Sequence, residues 1–514
     1  MKTHRLDVSK TPMAAAVDWL LGRASSEALD LSSTLIATPG ARAGRVLNTM
    51  LAQACQARGL VLSPPNMVTA GRLAEALAPA ARPAGALHRM LAWRAVLEAA
   101  PADELAAVLP SSESPAQWAQ EISQAADELA RGGLRFADAA PAELPPMEDP
   151  QRWKAQAALQ DRYESLLDRA GMTDPMLSAL GAGEAIAHGL DAVVLLGCMD
   201  LPGVAREMLH RVPCPVHTLV MLCEGLDADG VVDEGYWRDA EIDVDPDSVF
   251  VTGDASEQGA LAVRAAVDMD TSAIGTADEA LAGAVRRAAA DHGLSVHVAW
   301  GGAASVSGPG RLLADLALLL RERSFSSLSR VLRCPLVVAS LSREHAGFSQ
   351  LPRALDDYQA AALPTRAFAK LPEGNDRVVR PRRIVSQAVR RLRAMTSELR
   401  GKRRPLRDWA PALEQSLASM LAPAEDLLGP ASLEAIAAIG EQLRVLAWLP
   451  EALDARPVAA YEAIALVLGE LQSLGTAGEP GGEDLDLLGW LELPLDPSPA
   501  MVVMGAHHSS LPAA

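Results

Sequence analysis

Short, continuous apolar runs recur along this chain, and longer segments with helical periodicity separate them. The predicted strands are residues 35–40, 192–197, 216–222, 248–251, 272–274, 295–298 and 501–505. A run that is apolar throughout is typical of a parallel strand covered on both faces. Because such runs alternate with helical patterns, the first of them at residues 42–58, the sequence predicts an α/β fold with parallel sheets.

Two long helical segments, residues 71–182 and 310–475, divide the predicted strands into groups. We therefore predict two α/β cores, each split by a helical insertion. The predicted pieces are a first core at residues 1–75 and 186–245 with an insertion at 76–185, and a second core at residues 246–305 and 481–514 with an insertion at 306–480. Because the last strand lies almost at the C-terminus, we expect the second core to be truncated.

Charge and composition narrow the possible functions. The chain has 514 residues, and none of its apolar runs is long enough to span a membrane. Residues 1–7 lack the apolar core of a signal peptide. We therefore expect a cytoplasmic protein with no membrane partner. The formal net charge is −19, so any nucleic acid must bind to a local basic patch. The cysteines are few and scattered, and we expect them to be reduced thiols.

Lysine is scarce in this chain, so two mechanisms that need a lysine, ATP hydrolysis at a P-loop and PD-(D/E)xK nuclease chemistry, can be checked position by position. The only lysines are Lys2, Lys10, Lys154, Lys370 and Lys402. A phosphate-binding P-loop needs Gly-Lys-Ser/Thr between a strand and a helix, but residues 38–46 read Thr-Pro-Gly-Ala-Arg-Ala-Gly-Arg-Val. A PD-(D/E)xK nuclease needs an acidic residue two positions before a lysine, and no lysine here has one. The sequence therefore predicts no ATP hydrolysis, no nuclease chemistry and no cofactor.

Cysteine and histidine side chains gather around the predicted strands at residues 192–222. The potential zinc ligands are Cys198, His210, Cys214, His217 and Cys223. Their spacing matches no compact zinc knuckle, and cysteine beside an apolar strand is usually buried. We therefore predict no metal site and no catalytic residue.

One basic segment, residues 377–407, reverses the acidic character of the chain. It holds twelve arginine and lysine residues against a single acid, Glu398. Such a segment is typical of phosphate binding, and the alternative is a solvated helix face paired with acidic neighbours. The predicted DNA-binding residues are Arg382, Arg383, Arg390, Arg391 and Arg393. Arg383, Arg390 and Arg391 can share one helix face, and Pro381 and Pro405 predict turns at the two ends of the segment.

Several stretches resemble the helicase-like half of AddB proteins. They are residues 191–197, 215–220, 226–230, 236–237, 257–266, 307–313, 325–335 and 487–505. The most specific is Leu-Leu-Gly-Trp-Leu-Glu-Leu-Pro-Leu at residues 487–495, followed by Val-Val-Met-Gly at residues 502–505. Residues 507–510 read His-His-Ser-Ser where the family has an Asn-Glu-Gly turn, so no helicase-motif role is transferred to them.

The resemblance implies two RecA-like, superfamily-1 helicase-like cores with parallel sheets, each split by a helical insertion. It also implies a non-catalytic DNA-binding scaffold subunit that acts in double-strand-break repair by recombination, with an AddA-like helicase–nuclease partner subunit. AddB proteins typically end in a PD-(D/E)xK nuclease domain with an iron–sulfur cluster, and we expect a full-length parent to carry it. Two alternatives stay open: a degenerate motor ATPase, and a regulatory α/β protein with no nucleic-acid partner.

Overall fold

The structure is a computed structural model, and it divides the chain into two compact units. It describes residues 1–25, 27–109, 118–139, 150–182, 187, 189–221, 224–367, 376–472, 474–476, 485–498 and 500–507. The first unit comprises Met1–Ala84, Ala92–Ala299 and Pro480–Ala514. The second unit comprises Gly85–Leu91 and Trp300–Glu479.

Strands and helices alternate along the described residues. The strands are β1 Lys2–Arg5, β2 Ala28–Asp30, β3 Thr34–Thr38, β4 Val61–Ser63, β5 Asn66–Thr69, β6 Ala192–Leu196, β7 Val216–Val220, β8 Ala273–Thr276, β9 Val296–Val298, β10 Gly302–Ala303, β11 Gly475–Thr476, β12 Leu485–Gly489 and β13 Val502–Met504. The first helices are α1 Pro12–Leu21, α2 Ala41–Arg58, α3 Leu73–Leu77, α4 Ala86–Ala99, α5 Ala102–Val108, α6 Ala119–Arg131, α7 Phe136–Ala139, α8 Pro150–Arg169, α9 Pro175–Gly181, α10 Gly203–Arg211, α11 Glu234–Asp239, α12 Ala255–Asp268 and α13 Ala282–Asp291. The remaining helices are α14 Gly308–Glu322, α15 Phe325–Arg333, α16 Pro335–Glu344, α17 Leu351–Ala362, α18 Asp376–Met395, α19 Ala410–Leu421, α20 Pro430–Ala447 and α21 Ala460–Gln472.

The first unit contains a five-stranded parallel sheet in the order β1-β7-β6-β3-β5. Its three central strands are the predicted ones, and every side chain of β3 and β6 is buried. The two edge strands were not predicted, because β1 is polar and β5 is only half-buried. Leu20 of α1 and Leu47 of α2 pack with Ile36 of β3 in one apolar cluster against this sheet.

A second parallel sheet lies in the same unit, in the order β13-β8-β12-β9. Val502 of β13 pairs with Ile274 of β8, which confirms the prediction that these two strands share a sheet. The fold is therefore α/β with parallel sheets, as the sequence predicts. The central strand β12 was not predicted as a strand.

The predicted strand at residues 248–251 is wrong. A single 3-10 turn, Pro246–Ser248, is followed by irregular backbone. Val249, Phe250 and Val251 are all exposed, and Val251 keeps 95% of its accessible surface. An apolar run forms a strand of a parallel sheet when neighbouring elements cover both of its faces, and nothing among the described residues covers this one.

The second unit is helical, as predicted for residues 310–475, with one antiparallel strand pair between β10 and β11. A single apolar core joins its helices and includes Leu312 of α14, Trp409 and Val467 of α21. The indole nitrogen of Trp409 donates to the carbonyl of Val458 at 3.0 Å, so the buried ring has its hydrogen-bond partner. No helix in the described ranges is long and apolar enough to cross a bilayer.

Helix α14 begins with a tight turn that only glycine fits. The Ser307 hydroxyl accepts a hydrogen bond from the Gly310 amide at 3.1 Å, and a β-carbon at position 310 would lie 2.6 Å from the carbonyl oxygen of Ser305. Gly440 lies inside α20, with nothing within 4 Å of the corresponding position.

We predict that Gly310→Ala lowers the free energy of unfolding by about 1–3 kcal/mol, because backbone atoms must move to admit the methyl group. Gly440→Ala should raise it by roughly 0.5–1 kcal/mol, because alanine loses less conformational entropy in a helix. Urea denaturation of the full chain measures both changes. Equal free energies of unfolding for the two variants would contradict the close backbone contact at Gly310.

Candidate functional site

The β3–α2 turn is the position at which a P-loop would lie. Gly40 caps α2 with extended backbone (φ −130°, ψ 160°), and the Thr38 hydroxyl donates to the Gly40 carbonyl at 2.9 Å. The first turn of a helix presents free backbone N–H groups and attracts anions.

Carboxylates of the protein itself lie near the start of α2. Arg42 donates from Nη1 to Asp496 at 2.8 Å and from Nη2 to Asp486 at 2.9 Å. Asp486 belongs to β12 and also lies 2.8 Å from Nδ1 of His297 on β9. We call Arg42, Asp486 and Asp496 the Arg42 cluster. It links α2, which follows β3 of the first sheet, to β12, a central strand of the second sheet.

The Arg42 cluster is largely buried. The side chain of Asp496 keeps 1% of its accessible surface, and those of Arg42 and Asp486 keep 15% and 19%. Burial lowers the pKa of Arg42, but the hydrogen bonds and charges of Asp496 and Asp486 together raise it above its ordinary value. The positive charge at this position is therefore already neutralised within the fold.

The 3-10 helix Trp490–Leu495 fills the space between the two sheets. A side chain at Gly197, after β6, would meet Leu495 at 3.0 Å, and a side chain at Gly40 would meet Glu492 Cγ at 3.6 Å. Burial raises the pKa of the Glu492 carboxyl, against opposing effects of the Gly489 amide and of Arg42. An acidic side chain thus lies beside the glycine that starts α2, where a bound phosphate would need positive charge.

The predicted DNA-binding arginines lie on α18 in the second unit. Arg383, Arg390, Arg391 and Arg393 are exposed, and Arg382 is half-buried. The opposite side of the helix is buried, with its apolar contacts at Val385, Ala388, Val389 and Leu392. At about 100° per residue, Arg383 and Arg390 lie about 20° apart around the helix, with Arg391 and Arg393 on either side. We call these four residues the arginine face.

Acidic neighbours do not neutralise the centre of the arginine face. In the part of the chain that the structure describes, no carboxylate lies within 4 Å of Arg383 or Arg390. The acids of the packed helix α17 are engaged elsewhere, since Asp356 pairs with Arg333 at 2.6 Å and Asp357 lies 3.9 Å from Arg353. Among the described residues, none occupies these two arginines as an anion would.

The C-terminal part of the basic segment has a structural role instead. Arg403 pairs with Glu462, and Arg407 lies 3.7 Å from the buried carboxylate of Asp454. The Arg404 guanidinium stacks over the Trp409 ring at 3.8 Å from its centre. Pairing with acidic neighbours thus holds for Arg403 and Arg407, and the predicted phosphate-binding residues all lie on α18.

Pro381 does not form a turn at the beginning of the basic segment, so that prediction is wrong. It lies inside α18, five residues after Asp376. At this sixth position the missing N–H removes one intrahelical hydrogen bond, and the helix nevertheless continues to Met395. Pro405 directly precedes the 3-10 helix Leu406–Trp409, so it does lie at a change of direction.

Three of the potential zinc ligands, Cys198, His210 and His217, contact different partners. The buried Cys198 thiol lies 3.7 Å from the Leu196 carbonyl, and burial raises its pKa to about 12. His217 faces His4 at 3.0 Å, and His210 faces Asp229 at 2.9 Å. No group of three metal-binding side chains occurs within the described ranges, and Cys223 lies outside them.

No protein-family model matches this chain, and no curated protein matches its sequence. The resemblance to AddB therefore stays a prediction that depends on the quoted stretches. The same holds for the predicted domain boundaries, the cytoplasmic location and the partners.

Sequence reasoning missed the Arg42 cluster. Its partners lie 444 and 454 residues away along the chain, so no local spacing reveals them. The one available signal is Asp486, a charged residue within the apolar run of β12. A carboxylate in a central strand needs a partner, and an arginine at the start of a helix is one candidate.

We predict that Arg42→Met lowers the free energy of unfolding by about 3–5 kcal/mol, because it leaves the buried Asp496 unpaired. The matched control is Arg45→Met, an exposed arginine one turn further along α2, with an expected change within about 0.5 kcal/mol. A double-mutant cycle of Arg42→Met with Asp496→Asn, measured by urea denaturation, should show strong coupling. Additive effects of the two changes would refute the ion pair.

Proposed function

We propose that this chain is a non-catalytic, DNA-binding scaffold subunit of the AddB type, acting in double-strand-break repair by recombination. Its two parallel sheets would be RecA-like cores that no longer hydrolyse ATP, each interrupted by a helical insertion. The observation that carries the proposal is the arginine face of α18, which is exposed in a chain of net charge −19. An AddA-like partner subunit would supply the catalysis.

The chemistry of the arginine face fits a phosphate backbone. A guanidinium group binds phosphate oxygens in a forked geometry and stays charged at all physiological pH values. Arg383 and Arg390 are separated by about 10 Å along the helix axis, at 1.5 Å per residue. Both can therefore contact phosphates of one strand. Contacts of this kind position DNA without reading its sequence.

The Arg42 cluster supports a scaffold rather than a motor. A motor ATPase needs a lysine and a hydroxyl group at the β3–α2 turn to hold the nucleotide phosphates and magnesium. This turn has no lysine, the Thr38 hydroxyl donates to the Gly40 carbonyl, and Gly44 is followed by Arg45 and Val46 instead of lysine and a hydroxyl residue. Asp486, Glu492 and Asp496 lie near this turn. Phosphates would have to displace these carboxylates from Arg42, at the cost of the buried ion pairs.

DNA binding is tested by the triple variant Arg383→Gln, Arg390→Gln and Arg391→Gln. The affinity for single- and double-stranded DNA should fall, and the slope of log K against log salt should decrease by about 0.7–0.9 for each lost phosphate contact. Fluorescence anisotropy across a salt series measures both quantities on the full chain.

The matched control removes the same charge from other exposed arginines of the second unit: Arg321→Gln, Arg353→Gln and Arg444→Gln. The affinity of this control variant for DNA should stay close to that of the unmodified chain. If both triple variants lose affinity equally, the effect is one of total charge and the arginine face is not the site. If the unmodified chain binds no DNA at low salt, the regulatory alternative replaces the scaffold.

A further inference from the structure

An apolar cavity lies at the carboxyl ends of β1, β6 and β7 in the first unit. Its volume is about 400 Å³, and its lining includes Leu6, Met221, Val232 and Trp237. Glu224 is the one charged residue among the described residues of the lining. An apolar side chain of a partner can enter this cavity without displacing polar contacts. Fully burying such a side chain contributes about 1.5–3 kcal/mol to the free energy of binding.

Trp237 forms a fixed edge of this cavity. Its indole nitrogen donates to the Gly225 carbonyl at 2.8 Å, and Tyr236 packs edge-on against it with ring centres 5.3 Å apart. The residue nevertheless keeps 40% of its accessible surface. An aromatic ring that is held in place and still exposed is typical of the anchor of a protein interface, because little side-chain entropy is lost on binding.

The chain continues from Trp237 into an acidic–apolar segment, residues 239–251. It contains five acidic residues and no basic residue. Exposed apolar side chains lie between and after the acids, with Ile242 at 69%, Phe250 at 64% and Val251 at 95% of their accessible surface. After Asp239, which ends α11, the segment has no regular structure apart from one 3-10 turn, and its apolar side chains are mostly exposed. Exposed apolar surface of this extent marks an interaction site.

We infer that the Trp237 cavity and the acidic–apolar segment together form a docking surface for a partner protein. The partner offers apolar side chains flanked by lysine or arginine. Charge complementarity selects this occupant, since the segment repels DNA and an anionic lipid surface. A second copy of this chain would bring the same acidic segment to the contact and is disfavoured for that reason. The inference concerns the first unit alone and does not depend on DNA binding by α18.

The test uses a phage-displayed library of random peptides, panned on the full chain and counter-selected on the variant Ile242→Ser, Val244→Ser and Phe250→Ser. All three residues are exposed, so the variant should fold normally. Enriched peptides should combine bulky apolar residues with a net positive charge. Synthetic copies should bind the unmodified chain at least tenfold more tightly than the variant, with an affinity that falls as salt rises.

The control variant removes exposed apolar residues elsewhere in the same unit: Val8→Ser, Val61→Ser and Val267→Ser. It should bind the selected peptides as the unmodified chain does. The inference is overturned if no peptide is enriched over the counter-selecting variant, or if the enriched peptides carry no positive charge. It is also overturned if sedimentation velocity shows a dimer that the Ile242, Val244 and Phe250 variant abolishes, because the surface would then belong to a second copy.

Discussion

The bidentate contact of Arg42 with Asp486 and Asp496 determines how the first unit is built. It connects the helix that follows β3 to the central strand of the other parallel sheet, across more than 400 residues of sequence. Because Asp496 is almost completely buried, its charge is stable only while Arg42 stays in place. The same contact consumes the positive charge at the start of α2. One interaction therefore links the two sheets and commits the Arg42 charge at the start of α2 to carboxylates of the protein itself.

Charge is distributed unevenly in this protein, and the two proposed surfaces follow from that distribution. The chain is strongly acidic, yet Arg383 and Arg390 of α18 are exposed, with no carboxylate of the described residues within 4 Å. Within the same basic segment, Arg403 and Arg407 are paired with carboxylates and serve the fold. Residues 239–251 show the opposite combination of acids with exposed apolar side chains. We therefore expect a nucleic acid at the first surface and a basic protein at the second.

The pattern of apolar residues predicted the buried strands. It failed where apolar residues are exposed and where a strand contains polar residues. Residues 192–197 and 501–505 form strands because their apolar side chains enter a sheet, whereas residues 248–251 are equally apolar and remain exposed. The opposite error occurred at β1 and β12, which were not predicted as strands because they contain polar side chains, although both pair in parallel with a neighbour. The arginines of α18 were found because charge is visible in sequence. The Arg42 cluster was missed because its members meet only in the folded chain.

If the Arg42 cluster takes the place of a nucleotide at the β3–α2 turn, the full chain will not bind Mg-ATP. Equilibrium binding of radiolabelled Mg-ATP to the purified chain, with and without single-stranded DNA, tests this most directly. We predict no saturable binding and no hydrolysis under either condition. Saturable binding that is stimulated by DNA and abolished by substitutions at Gly40 or Arg45 would contradict this assignment and would show that the chain is a motor with altered motifs.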